Sequence, residues 1–175
     1  MQSSESNGRH SASETYEADF NAMLLRNKAM IWHVCSDYNI ERIWKIEDCM
    51  QEVVINLWRD YGKFEGRSSE RTWVWRVATN TMLGLRRKSA RTPVTDSLDQ
   101  GGVVENIADA TDNGEQQLTQ LIDELPEKDA VVIRAFLDGF SYKEIAAMTE
   151  STVGAVAMRV ARTKRRLQRM YEKSQ

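Results

Sequence analysis

Proline, cysteine and histidine are all scarce in this chain, and each scarcity excludes something. Two prolines and nine glycines in 175 residues disfavour a turn-rich all-β design, a collagen-like chain and a wholly disordered one. Two cysteines, Cys35 and Cys49, are too few for a disulfide framework and lack CxxC spacing, so they read as buried thiols in a reducing compartment. The two histidines, His10 and His33, leave zinc without a ligand set, and His33 reads as a structural helix residue. No run reaches the roughly twenty apolar residues of a membrane span, since even AVVIRAFL is interrupted by Arg134. The opening MQSSESNGRHSASETYE has no apolar core of a secretory signal, so a cytoplasmic protein without membrane insertion is expected. GxxxxGK[ST], GxGxxG, HExxH and GxSxG are all missing. An enzyme is therefore not expected, nor are catalytic residues, a cofactor or a metal.

What is present is charge, 29% of residues, and it is segregated. Residues 1–90 carry 13 basic and 12 acidic side chains, residues 91–129 carry 2 and 10, and residues 130–175 carry 9 and 4. The overall net charge of −2 thus hides an acidic middle and a basic end. Residues 151–175 alone hold seven Lys/Arg against the single acid Glu172. A basic terminal module behind an acidic connector suits contact with a polyanion, although a solvated last helix has the same composition.

Apolar periodicity organises the rest into helices, with no hairpin signal and no repeat. Residues 1–17 are Ser-rich and polar and read as a disordered arm. Phe20, Met23, Leu24, Met30, Ile31 and Val34 mark one helical face. A second helix starts near Glu47, with Cys49, Val53, Val54, Leu57, Trp58 and Tyr61 on its apolar side and Asp48, Gln51, Glu52, Asn56 and Arg59 elsewhere. After the loop YGKFEGRSS, a helix over about 69–88 shows Trp73, Val77, Thr81 and Leu85 every four residues. Residues 89–116 have the Pro, Gly-Gly, Asp and Asn of a linker. Periodicity resumes at Gln117, Leu118, Leu121, Ile122 and Leu125, and Pro126 opens a helix that Asp138-Gly139 ends. The fold class is all-α: an arm at 1–17, a helical domain at 18–88, a flexible acidic linker at 89–116 and a second helical domain at 117–175.

The most informative local pattern lies in that second domain. Ser141-Tyr-Lys-Glu144 is a capping box opening a short helix, and Thr152 is an N-cap for the last one. Val153, Val156, Val160 and Leu167 fall on one side of the last helix, within about 60°. Ala155, Met158, Arg162, Arg165 and Arg169 form the opposite stripe, flanked by Arg159 and Arg166. Two short helices joined by a brief turn make a helix-turn-helix, whose second helix brings small residues near base edges and arginines near phosphates. Pattern alone leaves an ordinary helix pair with a basic exposed face as the bland alternative.

LPEKDAVVIRAFLDGFSYKEIAAMTESTVGAVAMRVARTKRRLQ, residues 125–168, resembles the promoter-reading helix-turn-helix of bacterial RNA polymerase sigma factors of the sigma-70 family, the small extracytoplasmic-function type above all. Glu47-Asp-Cys-Met-Gln-Glu-Val53 followed by Trp58 resembles the family helix that docks on the polymerase clamp. Phe64-Glu-Gly66 with Arg71-Thr-Trp73-Val-Trp-Arg76-Val-Ala78-Thr-Asn80 resembles the segment that melts the minus-ten element. The likeness covers about 20–88 and 118–168. Four positions depart from it: Glu150 and Ser151 replace a glycine and a large apolar residue in the turn, Ala157 replaces a frequently basic residue, and Glu70 an apolar one.

The resemblance implies an initiation factor that binds core RNA polymerase at its clamp and flap, directs it to promoter DNA and assists opening, and it leaves room for an anti-sigma partner. Polymerase docking falls to Asp48, Gln51, Glu52 and Asn56. Minus-ten contacts fall to Arg71, Trp75, Arg76, Asn80, Arg86 and Arg87, with Trp73 read as core and Trp75 open between core and base stacking. Minus-thirty-five contacts fall to Thr152, Ala155, Met158, Arg159, Arg162, Arg165 and Arg166. The rival reading is a free-standing helix-turn-helix regulator, which needs a dimerisation or sensing domain because one small reading helix gives modest specificity.

Overall fold

A computed structural model describes residues 5–39, 44–91 and 113–174. Among them run seven helices and no strand: α1 (Glu5–Tyr38), α2 (Ile46–Tyr61), α3 (Glu70–Arg91), α4 (Asn113–Asp123), α5 (Glu127–Leu137), α6 (Tyr142–Met148) and α7 (Val153–Lys173). The chain divides into two compact units, Met1–Leu85 and Arg86–Gln175.

In the first unit α1 packs along α2. Phe20, Met23, Ile31 and Val34 meet Cys49, Val53 and Leu57 in a core that also takes Tyr38, Trp73, Trp75 and Met82. The expected arm at 1–17 needs correction, because α1 is already helical from Glu5. No proline interrupts residues 5–17, and Tyr16 docks edge-on against Trp58 and Tyr61 at 5.3 and 5.2 Å. A helix anchored further along propagates backwards at low cost, since nucleation is the expensive step. The start of α3 is pinned to α1 through Glu70. Its carboxylate accepts from Arg26 Nε at 3.1 Å, Arg26 Nη2 at 2.6 Å and Asn27 Nδ2 at 2.8 Å. Where the resemblance leads one to expect an apolar residue there is an ionic clasp, and the Arg26 guanidinium holds the Glu70 carboxyl below its ordinary value.

The buried side of α3 is not the Trp73–Leu85 line read from spacing. Trp73 is buried as expected, but Val77, Thr81 and Leu85 are only half-buried, whereas Val74, Trp75, Ala78, Thr79 and Met82 are interior. A four-residue step overshoots a full turn by about 40°, so such a line spirals off any fixed core.

In the second unit α7 is the element on which α4, α5 and α6 pack. Val156, Val160 and Leu167 are buried, each contributing roughly 1.5–3 kcal/mol of apolar transfer. Val153 is not: it is 48% exposed, at the first residue of α7. Arg134 of α5 is interior and pairs with Asp123, whose carboxyl is pushed up by burial and pulled back by that guanidinium. Helix edges intrude on the expected linker: α3 continues to Arg91, just short of the Thr92-Pro93 step that disfavours helix, and α4 starts at Asn113. The remainder of that linker, 92–112, lies outside the described residues.

Candidate nucleic-acid and polymerase interfaces

The helix-turn-helix is built by local capping. Ser141 Oγ accepts from Glu144 N at 3.3 Å while Ser141 N donates to Glu144 Oε2 at 2.9 Å, the reciprocal box that starts α6. Thr152 Oγ1 accepts from Ala155 N at 3.2 Å and starts α7. Thr152 is therefore committed to its own helix, and it is exposed at the N-terminal tip of α7. Between the two helices Ser151 N donates to Ala146 O at 2.9 Å, which requires Glu150 to turn left-handed at φ 50°. The same closure ends α5, where Phe140 N donates to Ala135 O at 3.1 Å around Gly139 at φ 81°. Glycine takes that conformation freely and glutamate does not.

On α7 the face away from the core is open. Ala155, Met158, Arg162, Arg165 and Arg166 are all exposed, and Met158 is 75% exposed. Small or apolar groups occupy the first two turns and guanidinium groups the next ones. Arg159 differs from its neighbours. Its side chain is half-buried and its Nε lies 3.7 Å from Asp129 Oδ1 of α5, so an ion pair holds it at the edge of the face. Nothing local in the sequence signals this pair, because its members belong to separate helices. Arg169, further along, folds back to donate from Nε to Arg165 O at 3.3 Å.

Along α3 the candidate DNA residues do not form one set. Helical geometry brings Arg76, Asn80 and Arg87 within about 40° of one another along α3. Arg71 and Arg86 project on other sides, about 80° or more from that stripe. Arg76 is half-buried, and Asn80, Arg71, Arg86 and Arg87 are exposed. Trp75 is a correction: at 1% exposure it is a core residue, and its ring is not offered to a base. It faces inward because α3 is buried over more than one stripe, with Trp73 packed against Phe64 at 5.0 Å and Tyr61 at 6.4 Å on a further side.

On α2 the expected polar face is present. Asp48, Gln51 and Glu52 are exposed around a helix whose other side holds Cys49, Val53 and Leu57. Asn56 departs from this set. It is half-buried, and its Nδ2 donates to Glu52 O at 3.0 Å and to Thr81 Oγ1 at 3.2 Å, so it works as a strut between α2 and α3. Two exposed apolar side chains adjoin the polar face, Ile55 at 57% and Trp58 at 43%. Trp58 read as core from spacing; its ring instead has Phe20 at 4.8 Å on one edge and solvent beyond.

Cys35 and Cys49 are free and buried, and desolvation with the neighbouring Cys49 sulfur pushes the Cys35 thiol up to about 12. His33 is exposed beside the Trp32 ring rather than packed inside. Among the described residues no three His, Cys, Asp or Glu side chains gather as a metal site, and no helix is long and apolar enough to cross a membrane.

Comparison with known proteins gives this geometry its context. The pattern of Sigma-70 region 2 matches residues 23–92, and that of Sigma-70, region 4 matches residues 115–167. The ECF RNA polymerase sigma-E factor of Escherichia coli K12 is 29% identical over 160 residues, covering 83% of this chain and 82% of that protein. The RNA polymerase sigma-H factor of Pseudomonas aeruginosa is 31% identical over 133 residues, covering 67% and 68%. Two solved structures share the fold. The sigma factor RpoE of Bartonella quintana, crystallised with the anti-sigma factor NepR, gives a TM-score of 0.62 at 20% identity over 88% of this chain and 97% of that one. CnrH, in complex with the cytosolic domain of CnrY, gives 0.65 at 18% identity over 91% of each chain. Two family segments in the family's order, carried on two helical units of which the second is a capped helix-turn-helix, place the chain in the sigma-70 family as a transcription initiation factor of the extracytoplasmic-function type.

Proposed function

We propose a division of labour between the two segments that match the family. The first, about 18–88, docks on core RNA polymerase through Asp48, Gln51 and Glu52 of α2 and engages the minus-ten element through Arg76, Asn80 and Arg87 of α3. Arg71 and Arg86 serve the flanking backbone. The second, about 117–175, reads the minus-thirty-five duplex with α7. Ala155, Met158 and Arg162 face base edges, Arg165 and Arg166 face phosphates, and Thr152 and Arg159 shape the approach. Nucleotide addition belongs to the polymerase, so the chain itself has no catalytic activity and works in the cytoplasm. An anti-sigma protein is a natural partner, given that the structurally similar RpoE was crystallised with the anti-sigma factor NepR.

The observation that carries this reading is the uncovered face of α7, where Met158 and the following arginines point away from the packed helices. Promoter-specific transcription by core polymerase reconstituted with the full chain tests it. Start sites that depend on the added chain are the expected result. Sequence-specific binding by a dimer in the absence of polymerase, with no stimulation of transcription, would favour the free-standing regulator.

A further inference from the structure

The outer face of α7 carries one side chain that the cationic theme does not explain. Met158 is 75% exposed, on the second turn, with Ala155 one turn before it and Arg162 one turn after. Ala155 and Ala161 are too short to reach far, so Met158 is the longest apolar group at the leading end of this face. Its thioether chain is unbranched and polarisable, able to settle against an irregular apolar surface. In the major groove of duplex DNA only thymine presents an apolar group, its 5-methyl, among otherwise polar edges.

We propose that Met158 is a specificity-determining residue that selects thymine in the minus-thirty-five element by packing on its 5-methyl group. The proposal rests on α7 being the helix that reads the duplex. The four-residue step from Met158 to Arg162 spans about 6 Å along the helix axis. Base pairs stack about 3.4 Å apart. The selected thymine therefore lies within about two base pairs of the edge read by Arg162, for which guanine is the favoured acceptor.

The test begins with duplexes recovered from a random-sequence pool by core polymerase reconstituted with the full chain. Each thymine of the recovered upstream element is then replaced singly by deoxyuridine, which removes the methyl and leaves every hydrogen-bonding group in place. One such replacement should lower occupancy by the unaltered protein roughly fourfold, the fold-change equivalent of one buried methylene-sized group. Met158→Leu should keep that sensitivity, and Met158→Ala should bind thymine and uracil duplexes alike. Both variants should melt as the parent does, because the side chain is exposed. Equal sensitivity in the parent and Met158→Ala, or no sensitive thymine at all, overturns the proposal while the reading of α7 stands. Recovery of no preferred duplex overturns both.

Discussion

The two units place their side-chain chemistry in opposite ways. In Met1–Leu85 the aromatic groups beside the candidate minus-ten residues are drawn inward, with Trp73 at 6% and Trp75 at 1% exposure. In Arg86–Gln175 the candidate reading helix buries one narrow stripe, Val156, Val160, Thr163 and Leu167, flanks it with the half-buried Ala157, Arg159 and Met170, and leaves the opposite face in solvent. The difference follows from how many sides of each helix are covered. α3 is enclosed on more than one side, so neighbours in sequence such as Trp75 and Arg76 part company, one interior and one half-buried. α7 is covered on one side only, and its composition translates directly into a surface. A helix's sequence thus reveals a binding face only where packing leaves most of the helix free.

The sharpest way to break this contrast is Trp75→Ala. As a core residue it should lose about 3–5 kcal/mol of stability. A base-stacking tryptophan on the surface would lose little stability and only DNA opening. All five tryptophans lie in the first unit, so intrinsic fluorescence during denaturant unfolding reports that unit selectively. The next largest effect is expected from Asp48→Arg with Glu52→Arg, which should weaken core-polymerase binding by tenfold or more, about 1.4 kcal/mol. Fluorescence-monitored unfolding should stay unchanged, because both side chains are exposed. Unaltered polymerase affinity would move docking to another face, the adjacent Ile55 and Trp58 being the first to test.

What could be read in advance divides along the same physical line. The starts of α6 and α7 were legible at Ser141 and Thr152 because a cap joins residues three apart. The family segments were legible because their motifs are contiguous. The inward turn of Trp75 was not, since it depends on which elements cover α3. Nor was the Glu70 clasp, whose partners are 43 and 44 residues away. Nor was the ion pair between Asp129 and Arg159, which forms only once α5 packs on α7. Residues 5–17 have a polar composition that hides a helix anchored by Tyr16.

Three smaller effects sharpen the comparison, two in the second unit and one in the first. Glu150→Gly should stabilise the second unit by about 1 kcal/mol, since it relieves a left-handed non-glycine residue. Gly139→Ala should destabilise it by a similar amount, because alanine meets the same strain there. The helical circular-dichroism transition that fluorescence does not report provides the readout. In the first unit the Glu70 carboxyl is held low by Arg26 and Asn27. Its stabilisation is therefore full above the ordinary glutamate range near 4.3 and lost as pH falls through the depressed value. The fluorescence midpoints of the parent and Glu70→Gln should differ at pH 7 and converge in acid. A gap that stays constant with pH would mean that the clasp does not depend on the charge of Glu70.

The central claim, that the open face of α7 discriminates promoter sequence, is tested most directly with Arg162→Ala. Polymerase reconstituted with this variant would transcribe matched promoters carrying intact or scrambled minus-thirty-five elements, with Arg166→Ala as the phosphate-contact control. Loss of a base contact should cost about 1–3 kcal/mol and collapse the ratio between the two promoters. Arg166→Ala should instead lower both activities together and reduce the salt slope by about one. A full promoter ratio retained by Arg162→Ala would contradict the placement of this helix in the groove.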